Sequence, residues 1–204
     1  MSDQQQKIEN TMLRYAAFTP AINKAMLYSI ECHSNVNHTY DKKHPYAYHL
    51  RMVYEVGFKY RHLLLDHQII TALAACWAHD VIEDTRQTYN DVKAELGEDV
   101  AEIVYTVSNE KGKTRKERAN SKYYAGIRAN ELAVFVKLCD RIANVTYSKE
   151  NKSSMFEKYK SENDHFLNQL LGDDFVPMVS KSIVQKDAKI FTPMAEELVY
   201  LFLS

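Results

Sequence analysis

The chain has 204 residues, 46% of them hydrophobic and 26% charged, which is the composition of a globular domain with a core of its own. Its 26 Lys and Arg nearly balance 27 Asp and Glu. This excludes the global basic field of a nucleic-acid binder, so an anionic small molecule has to be drawn in by local charge or by a metal.

Helical periodicity runs through most of the chain. A first helix is expected within Lys7–Phe18, with Ile8, Met12, Leu13 and Tyr15–Ala16 on one side. Pro20 suits the first turn of a second, which continues through Ile22, Met26, Leu27 and Ile30. The polar stretch from Ser34 to His44 breaks the pattern, and Pro45 opens a third helix, Tyr46–Phe58. A fourth, from about Asp66 to Ala78, is apolar on nearly all faces and should lie at the centre of the fold. Thr88-x-x-Asp91 resembles a capping box with a shortened acid, and Gly97 is a natural stop for the helix between them. Asp99–Val107 follows. The basic tract Asn109–Arg118 reads as a solvated loop leading into a helix at about Arg115–Arg128. Glu131–Tyr147 should bury Leu132, Ala133, Phe135, Val136, Leu138 and Cys139, with Asp140 beside them. Phe156–Leu171 and Pro193–Leu203 complete the set.

With five Gly, four Pro, no repeat and no Gly/Ser-rich linker, the expectation is a single all-α domain over 1–204, a bundle of about ten helices. Its motif-bearing core would span about 20–150 and a C-terminal helical extension about 151–204, where Phe175 to Ser204 have no assigned role. Cys32, Cys76 and Cys139 form an odd set without a CxxC pair and read as reduced, buried thiols. The N-terminus lacks the apolar stretch of a signal peptide. The longest near-continuous apolar run, Ile69 to Ala78, is about half of a membrane span, so cytoplasm is the expected compartment.

The most informative stretch is His79-Asp80-Val81-Ile82-Glu83-Asp84-Thr85. If the preceding helix continues, His79 and Glu83 share one face, and Asp80 and Asp84 share the adjoining one. Such a group at the end of an apolar helix is costly to desolvate without a cation or mutual hydrogen bonds. The alternative is a solvated helix end, where acids work against the helix dipole. Adjacent His and Asp suit a mixed N/O site for Mn²⁺, Fe²⁺, Co²⁺ or Zn²⁺, but two ligands are too few. His49, on a helix whose Met52, Val53 and Val56 face the core, is the third candidate, or else a half-buried structural histidine. Asp140 interrupts an apolar face, with Asn144 one turn later; it is a fourth ligand, or a partner of Arg141 or Lys137.

The ordered set His49, His79-Asp80, Glu83-Asp84 and Asp140-Arg141-Ile142-Ala143-Asn144, with HDxxEDT and KLxDRxxN as its two motifs, resembles the HD-domain hydrolases of the RelA/SpoT type. In size the chain is similar to their small alarmone hydrolases, the Mesh1-like proteins. The resemblance covers about Ala25 to Tyr147 and implies an HD-type helical bundle that hydrolyses the 3′-pyrophosphate of (p)ppGpp. It implies that His49, His79, Asp80 and Asp140 bind Mn²⁺, that Glu83 and Asp84 are the catalytic acids acting on water, and that Asn144 contacts the substrate near the ribose. The family's base-packing Arg-Lys pair falls on His38-Thr39, and its Pro after the first metal histidine is Leu50 here. His38 can stack on a base without the guanidinium's charge and fork of donors, and Lys42 and Lys43 are candidates for phosphate contact or plain loop lysines. The substituted base position keeps open a different phosphorylated substrate, another nucleotide or NADPH. A non-catalytic nucleotide-binding module is the third reading, and Glu83-Asp84 argues against it. The partner expected is a small phosphorylated nucleotide, with no nucleic acid and no membrane; oligomeric state is not legible.

Overall fold

The computed structural model describes residues 20–108, 114, 117, 119–172 and 190–203. Helix α1 occupies residues 20–34. A two-residue hairpin follows, β1 (Thr39–Tyr40) antiparallel to β2 (His44–Pro45), with Thr39 opposite Pro45 and Tyr40 opposite His44. Next come α2 (Ala47–Tyr60), a 3-10 turn (Arg61–Leu63), α3 (Ile69–Ala78), α4 (Val81–Asp84), α5 (Tyr89–Leu96) and α6 (Glu98–Val107). The remaining elements are α7 (Ser121–Arg128), α8 (Glu131–Glu150), α9 (Met155–Leu171) and α10 (Thr192–Leu203). The all-α expectation holds, with the small hairpin as the exception. No helix among the described residues is long and apolar enough to cross a membrane.

Two helices form the centre. On α3 every residue from Ala72 to Ala78 is buried, as its all-round apolar sequence requires. Its small side chains let α2 approach closely: a Cβ placed on Gly57 of α2 would lie 2.8 Å from Cys76 Sγ and 3.7 Å from Cys139 Sγ. Helix α8 is capped by Asn130, whose side chain accepts from Leu132 N and Ala133 N. It packs against α2, α3, α6, α7, α9 and α10, burying Phe135, Val136, Leu138, Cys139 and Ile142, with Leu132 only half-buried. All three cysteines are free and buried.

The Thr88–Asp91 capping box forms with both of its bonds, and Gly97 takes a positive φ of 91° between α5 and α6. Three expectations are corrected. Pro45 belongs to β2, because Asp41 and Lys42 adopt left-handed conformations that fold the polar stretch into a hairpin, and α2 starts only at Ala47. The helix carrying His79 does not run on: Asp80 (φ −99°, ψ 1°) breaks it, and α4 restarts as a single turn. The helix expected at about Arg115–Arg128 is interrupted at residues 119–120, and α7 begins at Ser121, where Asn120 caps it by accepting from Tyr123 N; residues 115, 116 and 118 lie outside the described residues. The helix expected at Lys7–Phe18 and most of the basic tract Asn109–Arg118 lie outside the described residues.

Part of the unassigned C-terminal segment finds a place. Met194, Ala195 and Leu198 of α10 are buried, and α10 packs on α8. Glu197 accepts from Lys59 Nζ at 2.6 Å and from Tyr60 Oη, while Lys149 Nζ donates to Leu201 O at 2.8 Å. Through these contacts the described part of the segment, residues 190–203, helps to close the core.

Candidate metal centre

The end of α3, the start of α2 and the middle of α8 converge on one point. His49 comes from α2, His79 from the end of α3, and Asp140 from α8, and one ligand atom from each lies within 4.8 Å of the other two. The two Nε2 atoms are 3.3 Å apart; Asp140 Oδ1 lies 3.3 Å from His49 Nε2 and 3.8 Å from His79 Nε2. Asp80, thrown inward by the helix break, puts Oδ2 2.9 Å from His79 Nε2 and 3.6 Å from His49 Nε2. Both histidines are 2% exposed. Four electron-pair donors pointed at one another in a dry site repel unless a positive charge lies among them, so this set fits a divalent cation.

The surroundings orient the donors. His79 Nδ1 lies 3.0 Å from the Cys76 carbonyl oxygen, which can only accept; Nδ1 therefore carries a proton, and Nε2 is the nitrogen turned to the cluster. Lys137 Nζ closes on Asp140 Oδ2 at 3.2 Å. Asn144 Nδ2 donates to Asp140 Oδ1 at 2.5 Å, and Tyr40 Oη donates to Asn144 Oδ1 at 2.9 Å. The Tyr40 ring lies parallel to that of His49, 5.0 Å away. Tyr46 Oη donates to Asp80 Oδ2 and stands 3.4 Å from Asp84 Oδ2. His49 Nδ1 is buried with no hydrogen-bond partner among the described residues.

The electrostatics follow from this geometry. Burial works against ionising Asp140, but Lys137 and the histidines hold its carboxyl well below the ordinary range. Asp80 is likewise depressed, by His79 above all, against the cost of its burial. Burial lowers the basicity of His79, yet Asp80 and Asp140 override it and raise the imidazole to about 9. Asp84 behaves in the opposite way. Although much of the residue is exposed, desolvation of its carboxyl and the charges of Asp80 and Glu83 push it up to about 7.

Of the residues singled out in the sequence, the structure brings together His49, His79, Asp80 and Asp140, with Asp84 joined to Asp80 through Tyr46 and Glu83 acting electrostatically on Lys137. Asn144 spends both ends of its amide on Asp140 and Tyr40. His38 stacks at 3.8 Å on Tyr46 and bonds His33 at 2.9 Å. Lys42 and Lys43 are exposed at the hairpin tip, away from the ligand cluster's hydrogen bonds. Arg141 turns from Asp140 toward α9, with Nη1 3.6 Å from Glu162 and its guanidinium over the Tyr159 ring. Tyr40 and Tyr46 are not singled out by the sequence, which holds fourteen tyrosines; the position of Tyr46 three residues before His49 is the available signal.

No family model matches the chain. A guanosine-3′,5′-bis(diphosphate) 3′-pyrophosphohydrolase of Aquifex aeolicus is 28% identical over 144 residues, covering 69% of this chain and 20% of that protein. The guanosine-3′,5′-bis(diphosphate) 3′-pyrophosphohydrolase MESH1 of Xenopus tropicalis is 32% identical over 73 residues, covering 36% of this chain and 41% of that protein. MESH1 of Danio rerio is 26% identical over 127 residues, covering 62% and 68%. The matches thus span a fifth and about two fifths of the first two relatives. Among solved structures, a metazoan ortholog of SpoT that hydrolyses ppGpp superposes with a TM-score of 0.51 at 18% identity, covering 90% of this chain and 86% of that one. By sequence the chain is similar to these MESH1 proteins over part of their length, and its helical fold is similar to that of the metazoan SpoT ortholog.

Proposed function

We propose that the protein is a metal-dependent hydrolase that removes the 3′-pyrophosphate of guanosine 3′,5′-bis(diphosphate), acting as a single domain in the cytoplasm. The observation that carries this reading is the convergence of His49, His79 and Asp140 within 4.8 Å of one another, with Asp80 beside them. The names of the similar proteins supply the substrate. Those four residues would hold Mn²⁺, or else Fe²⁺, Co²⁺ or Zn²⁺. A divalent cation bound there supplies positive charge against phosphoryl oxygens and makes water a better nucleophile at neutral pH.

The chain's own residues do the rest. Glu83 and Asp84, which follow the His79-Asp80 pair in the chain, carry the one proton that leaves the attacking water and is needed by the departing 3′ oxygen. A carboxyl near 7 suits that exchange, since it binds and releases a proton close to neutrality. Lys137 and Asn144 hold Asp140 in one orientation, so little reorganisation is needed as charge moves. Lys42 and Lys43 would meet the substrate's phosphates, and the remaining N–H of Asn144 its ribose.

A second reading, an enzyme of the same class acting on another phosphorylated nucleotide such as NADPH, draws on His38. One face of that ring is already covered by Tyr46, so it is a poorer platform for guanine than an open side chain. Incubating Mn²⁺-loaded protein with ppGpp, GTP, dGTP and NADPH and identifying the products decides between them. GDP plus pyrophosphate from ppGpp is the expected result; turnover of NADPH alone selects the second reading, and no turnover of any of them leaves a nucleotide-binding module.

A further inference from the structure

Tyr46 lies buried at the head of α2, and rings surround it. His38 is parallel to it at 3.8 Å with 15° between the planes, and His33 stacks at 4.4 Å. Tyr40 and His49 meet it edge-on at 6.2 and 5.3 Å. His33 and His38 are locked to each other by an Nδ1···Nδ1 hydrogen bond of 2.9 Å. A ring gripped in this way keeps one rotamer, so its hydroxyl points to one place.

That place is between two carboxylates. The hydroxyl donates to Asp80 Oδ2 and stands 3.4 Å from Asp84 Oδ2. Asp80 is the residue that breaks the helix, and Asp84 ends the single turn that follows, so one turn of backbone anchored by the buried Val81 sets their separation. The tyrosine supplies a fixed point outside that stretch. Glu83 lies under the charge of Lys137 instead, so the two neighbouring acids have different surroundings.

We propose that Tyr46 is a positioning residue for the hydrolytic reaction, its hydroxyl fixing Asp84 against Asp80 while His33 and His38 hold its ring. The proposal rests on the hydrolase reading and singles out Asp84 as the acid joined to the metal ligand Asp80 through Tyr46. It also gives His38 a task within the protein, as one plate of the stack.

Tyr46→Phe removes one oxygen and keeps the stack. With Mn²⁺-loaded protein and ppGpp, it is expected to lose about 10–100-fold in kcat with KM within about twofold. Tyr46→Phe combined with Asp84→Asn should fall no further than Asp84→Asn alone, because both break one unit. Tyr46→His, which keeps a flat ring and an N–H donor, should lose less than Tyr46→Phe. An unchanged kcat, additive losses in the double variant, or equal losses from Phe and His overturn the proposal. Failure of the wild type to hydrolyse ppGpp counts against the substrate, and Tyr46 is then judged on Mn²⁺ affinity by calorimetry. Binding about tenfold weaker in Tyr46→Phe, where Asp80 has lost its donor, supports the assignment, and unchanged affinity overturns it.

Discussion

Lys137 stands one helical turn before Asp140 on α8, and its ammonium takes Asp140 Oδ2 at 3.2 Å while Oδ1 is left to face His49. Lys137 is largely buried, and Asp140 and Glu83 keep it charged despite the cost of desolvation. Lys137→Met removes the ammonium partner and leaves the Asp140 carboxylate to the histidines and Asn144. The metal-free variant is expected to be about 3 kcal/mol less stable than the wild type. Mn²⁺ should narrow that gap, because a cation restores charge to the same carboxylate. Urea unfolding with and without Mn²⁺ measures both; an unchanged gap would show that Lys137 and the cation do not share Asp140.

Because the four donors come from three separated helices, a cation held by them ties α2, α3 and α8 together and binds the folded state alone. Thermal unfolding of the wild type should therefore shift upward with Mn²⁺, by about 2.7 kcal/mol at a hundred times Kd, and EDTA should reverse it. Asp140→Asn and His79→Gln are expected to abolish the shift while leaving a folded protein. A full shift in either variant would remove that residue from the ligand set.

How much of this was legible in the sequence differs residue by residue. His79 and Asp80 are adjacent and close a run of apolar residues, so a polar break in a buried helix announced them. His49 and Asp140 each had an ordinary structural alternative, and only their order in the chain raised them above it. The break at Asp80 was hidden, because Val81-Ile82-Glu83-Asp84 continues the helical pattern and nothing local forbids the next turn. The hairpin was hidden for another reason: its left-handed positions hold Asp41 and Lys42, where a glycine would have marked the turn. Asp41 is held there by local bonds, its carboxylate accepting from Lys43 N and His44 N, and by a tertiary one from Tyr147 Oη. The tyrosines at the site could not be separated from the other packing tyrosines, because their function depends on where a hydroxyl ends up after stacking.

His33 gives a pH dependence with a definite sign. Burial lowers its imidazole to about 4, against an ordinary value near 6.5 in the unfolded chain. Between those values the unfolded state binds the extra proton, so stability rises with pH there and is lost as the pH falls from about 6.5 toward 4. His33→Phe keeps a ring against Tyr46 and removes the titration. Between pH 7 and pH 4.5 the wild type should lose about 2–3 kcal/mol more than this variant, a difference in which groups remote from His33 cancel. Parallel losses in urea titrations at the two pH values would mean that His33 is protonated in the folded protein.

The contact beneath the ligands offers a last test of how packing reaches the site. Gly57 lets α2 lie directly on Cys76, and an added Cβ would stand 2.8 Å from its Sγ and 3.3 Å from Leu73 Cδ2. Replacing a helical glycine with alanine ordinarily stabilises by about 1 kcal/mol. Here overpacking costs about 1–3 kcal/mol, because Cys76 is fully buried and the neighbouring Cys139 blocks its retreat. Gly57→Ala is therefore expected to destabilise, and Cys76→Ala in the same chain to recover most of the loss by making room for the methyl group. The consequence extends to the metal, since the Cys76 carbonyl sets the orientation of His79 through Nδ1. A displaced α3 turns that imidazole, so Gly57→Ala should weaken Mn²⁺ binding by about tenfold or more, and the double variant should regain it together with stability. Metal titrations of the two variants would separate the effects, and a loss of stability without any loss of affinity would show that α3 absorbs the strain before it reaches His79.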